Sequence, residues 1–128
     1  MAVKFLSPEW LSEVTTALEN HQGFQDAARE MELAIQFNVL DSPLGDTGYN
    51  LMITPQAITI ALGIREDLDM TISQSYETAA AIMKGSLNVQ SAFITGKIKV
   101  SGNLAKLMVH RNGIEQWLAA VSDIDVEY

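Results

Sequence analysis

The chain has 128 residues, of which 48% are apolar and 19% are charged, and this length and composition predict one folded domain over residues 1–128. The absence of cysteine excludes disulfides, thiolate metal sites and cysteine nucleophiles. The net charge of −8 argues against nucleic acid as a partner, because such binding depends on neutralising phosphates.

A first helix is predicted to begin at Ser7-Pro8-Glu9. Ser7 can cap the free backbone N–H groups, Pro8 suits the first turn, and Glu9 favours the positive end of a helix. The apolar residues that follow recur at helical spacing: Trp10, Leu11, Val14 and Leu18. We expect Gly23 to separate this helix from a second short helix around residues 24–31.

Alternation of apolar and polar residues then predicts four strands. The apolar positions of the successive strands are Leu33, Ile35, Phe37 and Val39; Tyr49, Leu51 and Ile53; Ile58, Ile60, Leu62 and Ile64; and Leu68, Met70 and Ile72. DSPLGDTG (residues 41–48) is typical of a hairpin turn, and Pro55-Gln56 of a second turn. Strands with one apolar and one polar face favour an antiparallel meander.

Helical spacing returns after the fourth strand. Ser75 and Asn88 are predicted to cap two helices, which we expect to end at Gly85 and Gly96. The residues between Gly96 and Gly102 alternate again, which predicts a fifth strand. Its inward positions are expected to be Ile98 and Val100, and its outward positions Lys97 and Lys99.

Two further helical stripes follow the fifth strand. The apolar residues of the first are Leu104, Leu107 and Met108, and those of the second are Ile114, Trp117, Leu118 and Val121. Asn112 and Glu115 resemble a capping box at the start of the last helix.

The order of elements predicts an α+β fold, with a five-stranded, mostly antiparallel sheet and helices covering one face. Because helices separate the fifth strand from the fourth, we expect it to join the sheet by a parallel pairing.

Candidate catalytic and metal-binding residues are few. His21 and His110 lie far apart in the sequence, and we find no zinc spacing, phosphate loop or dinucleotide fingerprint, so we expect no metal, no cofactor and no catalysis. Asp67 and Asp69 form a two-apart carboxylate pair, for which a solvated strand face is a simpler explanation than acid–base chemistry. The methionines on apolar faces suit either a packed core or a cavity for variable apolar ligands.

No apolar run is long enough to span a bilayer, and MAVKFLSPEW does not resemble a signal peptide. The end DIDVEY does not resemble a peroxisomal address. We therefore expect a cytoplasmic protein.

The segment KGSLNVQSAFITGKIKVSGNLAKLM (residues 84–108) resembles the signature region of the sterol carrier protein 2 family. The family pattern is a helix ending in Lys/Arg-Gly, then x-P-Q-x-A-F-x-x-G-K-[IL]-K-[IV]-x-G-[ND], then a leucine-rich helix. The matching residues are Lys84, Gly85, Gln90, Ala92, Phe93, Gly96, Lys97, Ile98, Lys99, Val100, Gly102 and Asn103. Val89 and Ile94 depart from it, where the family often has proline and a second aromatic residue. FLSPEWLSEV resembles the opening of stand-alone bacterial members.

The resemblance implies a five-stranded sheet under helices, with an apolar tunnel between the two layers. Such a tunnel holds a fatty acid, acyl-CoA, phospholipid or sterol-like molecule without catalysis. The residues expected to line it are Ile82, Met83, Phe93, Ile94, Ile98, Leu104, Leu107, Met108, Trp117 and Leu118. The alternative is that most of these residues pack the core. Sterol specificity and peroxisomal location are not implied, because this chain is acidic and lacks the signal.

The leading interpretation is an intracellular carrier of a long-chain lipid. The alternative is an accessory or scaffold protein that presents a lipid-like substrate to a biosynthetic enzyme, for which the acidic remainder of the chain offers a partner surface. An enzyme would need convergent titratable groups, and none occurs at a recognisable spacing.

Residues 84–111 hold five of the eight basic residues and no acidic residue. The five are Lys84, Lys97, Lys99, Lys106 and Arg111. Two explanations stay open, a transient contact with an anionic head group or membrane surface, and ordinary solvated side chains. The oligomeric state is not predicted.

Overall fold

The computed structural model describes residues 2–43, 45–122 and 124–127. A five-stranded sheet with the strand order β4-β3-β2-β5-β6 lies at its centre. These strands are β2 (Leu33–Ser42), β3 (Gly45–Ile53), β4 (Ile58–Leu62), β5 (Met70–Ser75) and β6 (Ile98–Gly102). Two short strands, β1 (Val3–Lys4) and β7 (Val126–Glu127), pair with each other in parallel.

The described residues also form six α-helices. These are α1 (Pro8–Asn20), α2 (Gln22–Ala28), α3 (Tyr76–Met83), α4 (Val89–Ile94), α5 (Leu104–Val109) and α6 (Arg111–Val121). The caps predicted at Ser7, Ser75 and Asn88 are confirmed, because each side chain accepts a hydrogen bond from a backbone N–H of the first turn. None of these described helices combines the length and the apolar character that crossing a bilayer requires.

The predicted helix break at Gly23 is wrong. His21 separates α1 from α2, and its Nδ1 accepts a hydrogen bond from the Phe24 N–H at 3.0 Å. Because His21 caps α2 directly, no glycine-containing loop is needed between the two helices. Gly23 therefore lies inside α2.

The capping box predicted at Asn112 and Glu115 is also wrong. His110 ends α5 and immediately precedes α6, which begins at Arg111 without a side-chain cap. Asn112 therefore lies within the first turn and is not available as a cap.

The predicted meander is confirmed for β2, β3 and β4 and is wrong for β5. Antiparallel pairs join β2 to β3 and β3 to β4, but β5 lies on the other side of β2 and runs parallel to it. Because β5 and β6 are antiparallel, the parallel pairing predicted for the fifth strand is also wrong. The sheet remains mostly antiparallel, and the predicted α+β class is confirmed.

The connection between β4 and β5 explains this strand order. The Gly63 N–H donates to the Gly48 carbonyl at 3.0 Å, and the Arg65 N–H donates to Gln36 Oε1 at 2.9 Å. The segment 63–69 therefore lies across β3 and β2, on the face opposite the apolar core, and carries the chain past the meander. This path shortens the fourth predicted strand, which begins at Met70 rather than Leu68.

The centre of the core lies between the helices and the inner faces of β2 and β3. Trp10 of α1 contacts Tyr49 edge to face at 5.3 Å, and Trp117 of α6 stacks on Phe37 at 5.5 Å. Neither tryptophan exposes more than 2% of its surface. Aromatic pairs of this kind contribute about 1 kcal/mol each beyond the burial of their area.

Asp69 joins three parts of the fold. Its Oδ2 accepts hydrogen bonds from the Ala34 N–H at 2.8 Å and from Lys106 Nζ at 3.0 Å, and its carbonyl accepts one from the Asn103 N–H at 3.0 Å. The solvated explanation is therefore wrong for Asp69. It holds for Asp67, whose side chain is 74% exposed.

These contacts make the stability depend on pH. Desolvation raises the pKa of Asp69, but hydrogen bonds from Lys106 and Ala34 and the charges of Lys106 and His110 together hold it below its ordinary value of 3.8. A lowered pKa in the folded state stabilises the fold above the unfolded pKa, and this stabilisation is lost as the pH falls through the folded pKa. We expect Asp69→Asn to lower the free energy of unfolding by about 1 kcal/mol at neutral pH.

Urea unfolding measured from neutral pH into acid tests this expectation. The difference between the wild type and Asp69→Asn must shrink as the pH falls below the ordinary carboxyl range. Asp67→Asn is the matched control, and it must change the free energy of unfolding by less than about 0.5 kcal/mol. A difference for Asp69→Asn that stays constant into strong acid contradicts the assignment.

Candidate functional site

The ten residues predicted to line a tunnel divide between the core and the surface. Met83, Ile98 and Trp117 are buried, and Ile82, Leu107 and Leu118 are half-buried. The other four are exposed, with exposed fractions of 48% for Phe93, 82% for Ile94, 45% for Leu104 and 64% for Met108. The structure therefore does not bring all ten residues together in one buried wall.

The inner face of the sheet is unevenly covered. Strand register places Tyr49, Phe37, Ile72 and Val100 side by side across β3, β2, β5 and β6. Tyr49 and Phe37 are at most 6% exposed, whereas Ile72 and Val100 are only half-buried. The helical layer thus leaves apolar surface partly open on the β5–β6 side of Trp117.

Two short helices flank β6 in the sequence. α4 precedes β6 and carries Phe93 and Ile94, while α5 follows β6 and contains no fully buried residue. Its exposed apolar residues are Leu104, Met108 and Val109. We call the half-buried inner face at Ile72 and Val100, together with α4 and α5, the apolar edge.

The geometry of β6 follows from the glycines that bracket it. Gly96 and Gly102 have φ angles of +77° and +106°, which side-chain-bearing residues rarely adopt. Gly96 follows the end of α4, and Gly102 is the last residue of β6. The two glycines therefore confine β6 to a short strand between two helices. The predicted facing is confirmed, since Ile98 is buried and Val100 half-buried while Lys97 and Lys99 are exposed.

Gln74 is a polar residue near this site that the sequence reasoning missed. It follows Met70 and Ile72 on the inner face of β5, pairs with Val39 and Ile98, and is only 7% exposed. The sequence does indicate this position, because Gln74 follows Met70 and Ile72 at the same two-residue spacing. That spacing places Gln74 on the apolar face of the strand.

The five basic residues of segment 84–111 differ in their exposure and in their contacts. Lys106 is held by Asp69 at 3.0 Å, with only 27% of its side chain exposed, so the prediction of a solvated or membrane-facing side chain is wrong for it. Lys84, Lys97, Lys99 and Arg111 are exposed. Three of these four, Lys84 excepted, lie on or beside β6 and α5.

Two surface cavities are lined by none of the ten predicted wall residues. One of about 300 Å³ lies between α1, α2 and the β3–β4 turn. The other, of about 390 Å³, is lined by Tyr76, Glu77, Ala80, Ala81, Lys84 and Ser86. Burial and the charge of Glu127 raise the pKa of Tyr76 above its ordinary value.

Comparison with known proteins adds a family assignment to this geometry. The sequence profile of the SCP-2 sterol transfer family matches residues 15–114. Sterol carrier protein 2 of Gallus gallus is 30% identical over 77 residues, which cover 59% of this chain and 14% of that protein. The chain therefore spans only a small part of the length of this relative.

Solved structures share the fold. A crystal structure of sterol carrier protein 2 superposes with a TM-score of 0.80 at 17% identity, covering 94% of this chain and 99% of that one. The solution structure of a conserved hypothetical protein from Thermus thermophilus gives a TM-score of 0.79 at 16% identity, covering 98% and 93% of the two chains. At these identities the likeness demonstrates a common fold.

Proposed function

Because the chain belongs to the SCP-2 sterol transfer family, we propose that it binds a long-chain lipid at the apolar edge and carries it without chemical change. Family membership supports lipid binding in general. The observation that carries the proposal for this chain is the half-buried pair Ile72 and Val100, which lies beside fully covered residues of the same sheet row.

Burial of an acyl chain on this surface provides enough free energy for binding. Each methylene removed from water contributes roughly 0.8 kcal/mol, so ten methylenes contribute about 8 kcal/mol before the entropic cost of association. A charged head group is not required for such affinity. The ligand classes that fit are a fatty acid, an acyl-CoA, a phospholipid and a sterol- or isoprenoid-like molecule.

The exposed apolar residues of α4 and α5 have a role in this proposal. Phe93, Leu104 and Met108 close over the bound chain, while the buried Met83, Ile98 and Trp117 form the floor on which it rests. The half-buried Ile82, Leu107 and Leu118 contact its sides, and Ile94 at 82% exposure lies at the rim. In this arrangement the lipid completes a tunnel between the two layers.

Native mass spectrometry followed by organic extraction tests the function. We expect the protein purified from its host to carry a long-chain lipid at close to one molecule per chain. The matched measurement is delipidated protein titrated with a fluorescent fatty-acid analogue. A protein that is empty as purified and fails to bind the analogue contradicts the proposal.

We propose carriage rather than catalysis, because the Asp69 carboxylate beside the start of β5 is already bonded to the Ala34 N–H and to Lys106. Presentation of the lipid to a biosynthetic enzyme is the alternative, and stoichiometric recovery of such an enzyme in a pull-down favours it over free transfer. Hydrolysis of an acyl thioester by the pure protein contradicts the absence of catalysis.

We also propose that the lipid is exchanged at an anionic membrane surface. Exposed apolar side chains on α4 and α5 occur in the same segment as the exposed Lys97, Lys99 and Arg111. Near an anionic bilayer each such cation contributes about 1 kcal/mol. The segment combines the apolar and basic surface that interfacial binding requires.

Vesicle co-sedimentation tests the membrane contact. Lys97→Glu combined with Lys99→Glu is expected to lower binding to anionic vesicles by at least about tenfold. Lys4→Glu combined with Arg29→Glu is the matched control, because it makes the same change in net charge outside the segment. Equal binding of the wild type to neutral and anionic vesicles contradicts an electrostatic contact.

A further inference from the structure

Gln74 is a polar side chain in an apolar layer. Its strand neighbours on the same face are Val39 and Ile98, which are 0% and 5% exposed, and Gln74 itself is 7% exposed. Within the described part of the chain its amide forms no side-chain hydrogen bond. By comparison, the buried amide of Gln36 donates to the Gly63 carbonyl and accepts from the Arg65 N–H.

Trp117 carries a second polar group without a partner. Its indole Nε1 is buried and has no acceptor among residues 2–43, 45–122 and 124–127. A buried N–H without an acceptor is destabilising relative to a bonded one. Most buried polar groups are satisfied, so the indole N–H of Trp117 calls for a specific explanation.

Both groups border Phe37. Trp117 stacks on the ring of Phe37, with 5.5 Å between the ring centroids. Phe37 pairs with Ile72 of β5, and Gln74 lies two residues after Ile72 on the same strand. Ile72 is also one of the two half-buried residues that define the apolar edge, so both polar groups lie beside the open surface.

We propose that Gln74 and Trp117 form a polar subsite for an uncharged carbonyl group of the bound lipid. This inference rests on the proposed function. The indole N–H and the amide N–H can each donate to a carbonyl oxygen, while the amide oxygen can accept from a protonated acid. The lipid classes that fit are fatty-acid esters and protonated fatty acids.

The charges around the site favour a neutral head group. Lys97 and Lys99 are exposed, and Lys99 lies on the face of β6 opposite Ile98 and Val100. Lys106 forms an ion pair with Asp69. Gln74 and Trp117 offer only neutral donors, and burial of an ionised carboxylate in an apolar layer is disfavoured. The subsite therefore favours an uncharged carbonyl over an ionised carboxylate.

Competition binding with matched ligands tests the subsite. The ligands are a straight-chain alkane and the methyl ester of a fatty acid of equal chain length, each displacing the hydrocarbon probe diphenylhexatriene. The wild type is expected to prefer the ester. Gln74→Met is expected to reduce this preference about fivefold, because one neutral hydrogen bond contributes about 1 kcal/mol.

Trp117→Phe removes the other donor and is expected to reduce the preference in the same direction, which provides an independent variant. Gln56→Met, at an exposed position in the turn between β3 and β4 and away from the apolar edge, is the control and must leave the preference unchanged. Urea unfolding establishes that each variant is folded.

The outcomes separate the subsite from lipid binding itself. If neither ligand displaces the probe from the wild type, the proposed function fails and the subsite fails with it. If both ligands bind and neither Gln74→Met nor Trp117→Phe changes their ratio, lipid binding stands and the subsite is overturned.

Discussion

Val100→Trp is expected to lower the affinity for a long-chain lipid by roughly a hundredfold. Val100 is half-buried on the inner face of β6, where the helical layer leaves the sheet partly open. A tryptophan at this position fills the surface on which the acyl chain would rest. Loss of contact with about four methylenes corresponds to about 3 kcal/mol, which is this factor in the dissociation constant.

Lys99→Trp is the matched control for this variant. It adds the same side chain to the same strand, one residue earlier, on the face that carries the exposed lysines. Titration with a fluorescent fatty-acid analogue is expected to show nearly unchanged affinity for Lys99→Trp. If both tryptophans weaken binding equally, or if neither does, the lipid does not bind along the inner face of β6.

Gly102→Ala is expected to have the largest effect on stability. Gly102 has a φ angle of +106°, and a Cβ atom there would lie 2.5 Å from the Asp69 carbonyl oxygen and 2.8 Å from Met70 Cα. Both neighbours are backbone atoms that cannot rotate away. The unfavourable φ and the steric overlap together are expected to lower the free energy of unfolding by about 3 kcal/mol or more.

Gly96→Ala provides the comparison, because the two glycines differ in surroundings and not in type. Gly96 also has a positive φ, but nothing lies within 4 Å of the added Cβ. Gly96→Ala is therefore expected to lower the free energy of unfolding only through the unfavourable φ angle, by about 1 kcal/mol. Urea unfolding of both variants tests the difference, and equal losses would show that the contact with Asp69 and Met70 is not tight.

Interactions between near neighbours were predictable from the sequence. Ser7, Ser75 and Asn88 cap helices through groups two or three residues away, and Gly96 ends a helix through its own backbone angle. Period-two alternation likewise predicted which residues of β2, β3 and β6 face inward. Each of these signals needs only a few consecutive residues.

Strand order and helix coverage were not predictable in this way. Alternation assigns a strand residue to a face but does not identify the neighbouring strand, so the parallel pairing of β5 with β2 was missed. A helical stripe such as Leu104 and Met108 indicates an apolar face without showing whether another element covers it. The predicted site therefore mixed core residues with exposed ones, and it omitted Ile72, Val100 and Gln74.

The parallel pairing of β2 with β5 has a consequence for the order in which the chain folds. β3 and β4 follow β2 through short turns, whereas the contact between Ala34 and Asp69 joins residues 35 positions apart. Loop closure makes the local hairpins fast and the docking of β5 slow. Until β5 arrives, one side of β2 is an unpaired edge rich in large apolar residues, which is the kind of surface that aggregates. The hydrogen bond from the Ala34 N–H to Asp69, the residue immediately before β5, fixes the register in which β5 closes that edge.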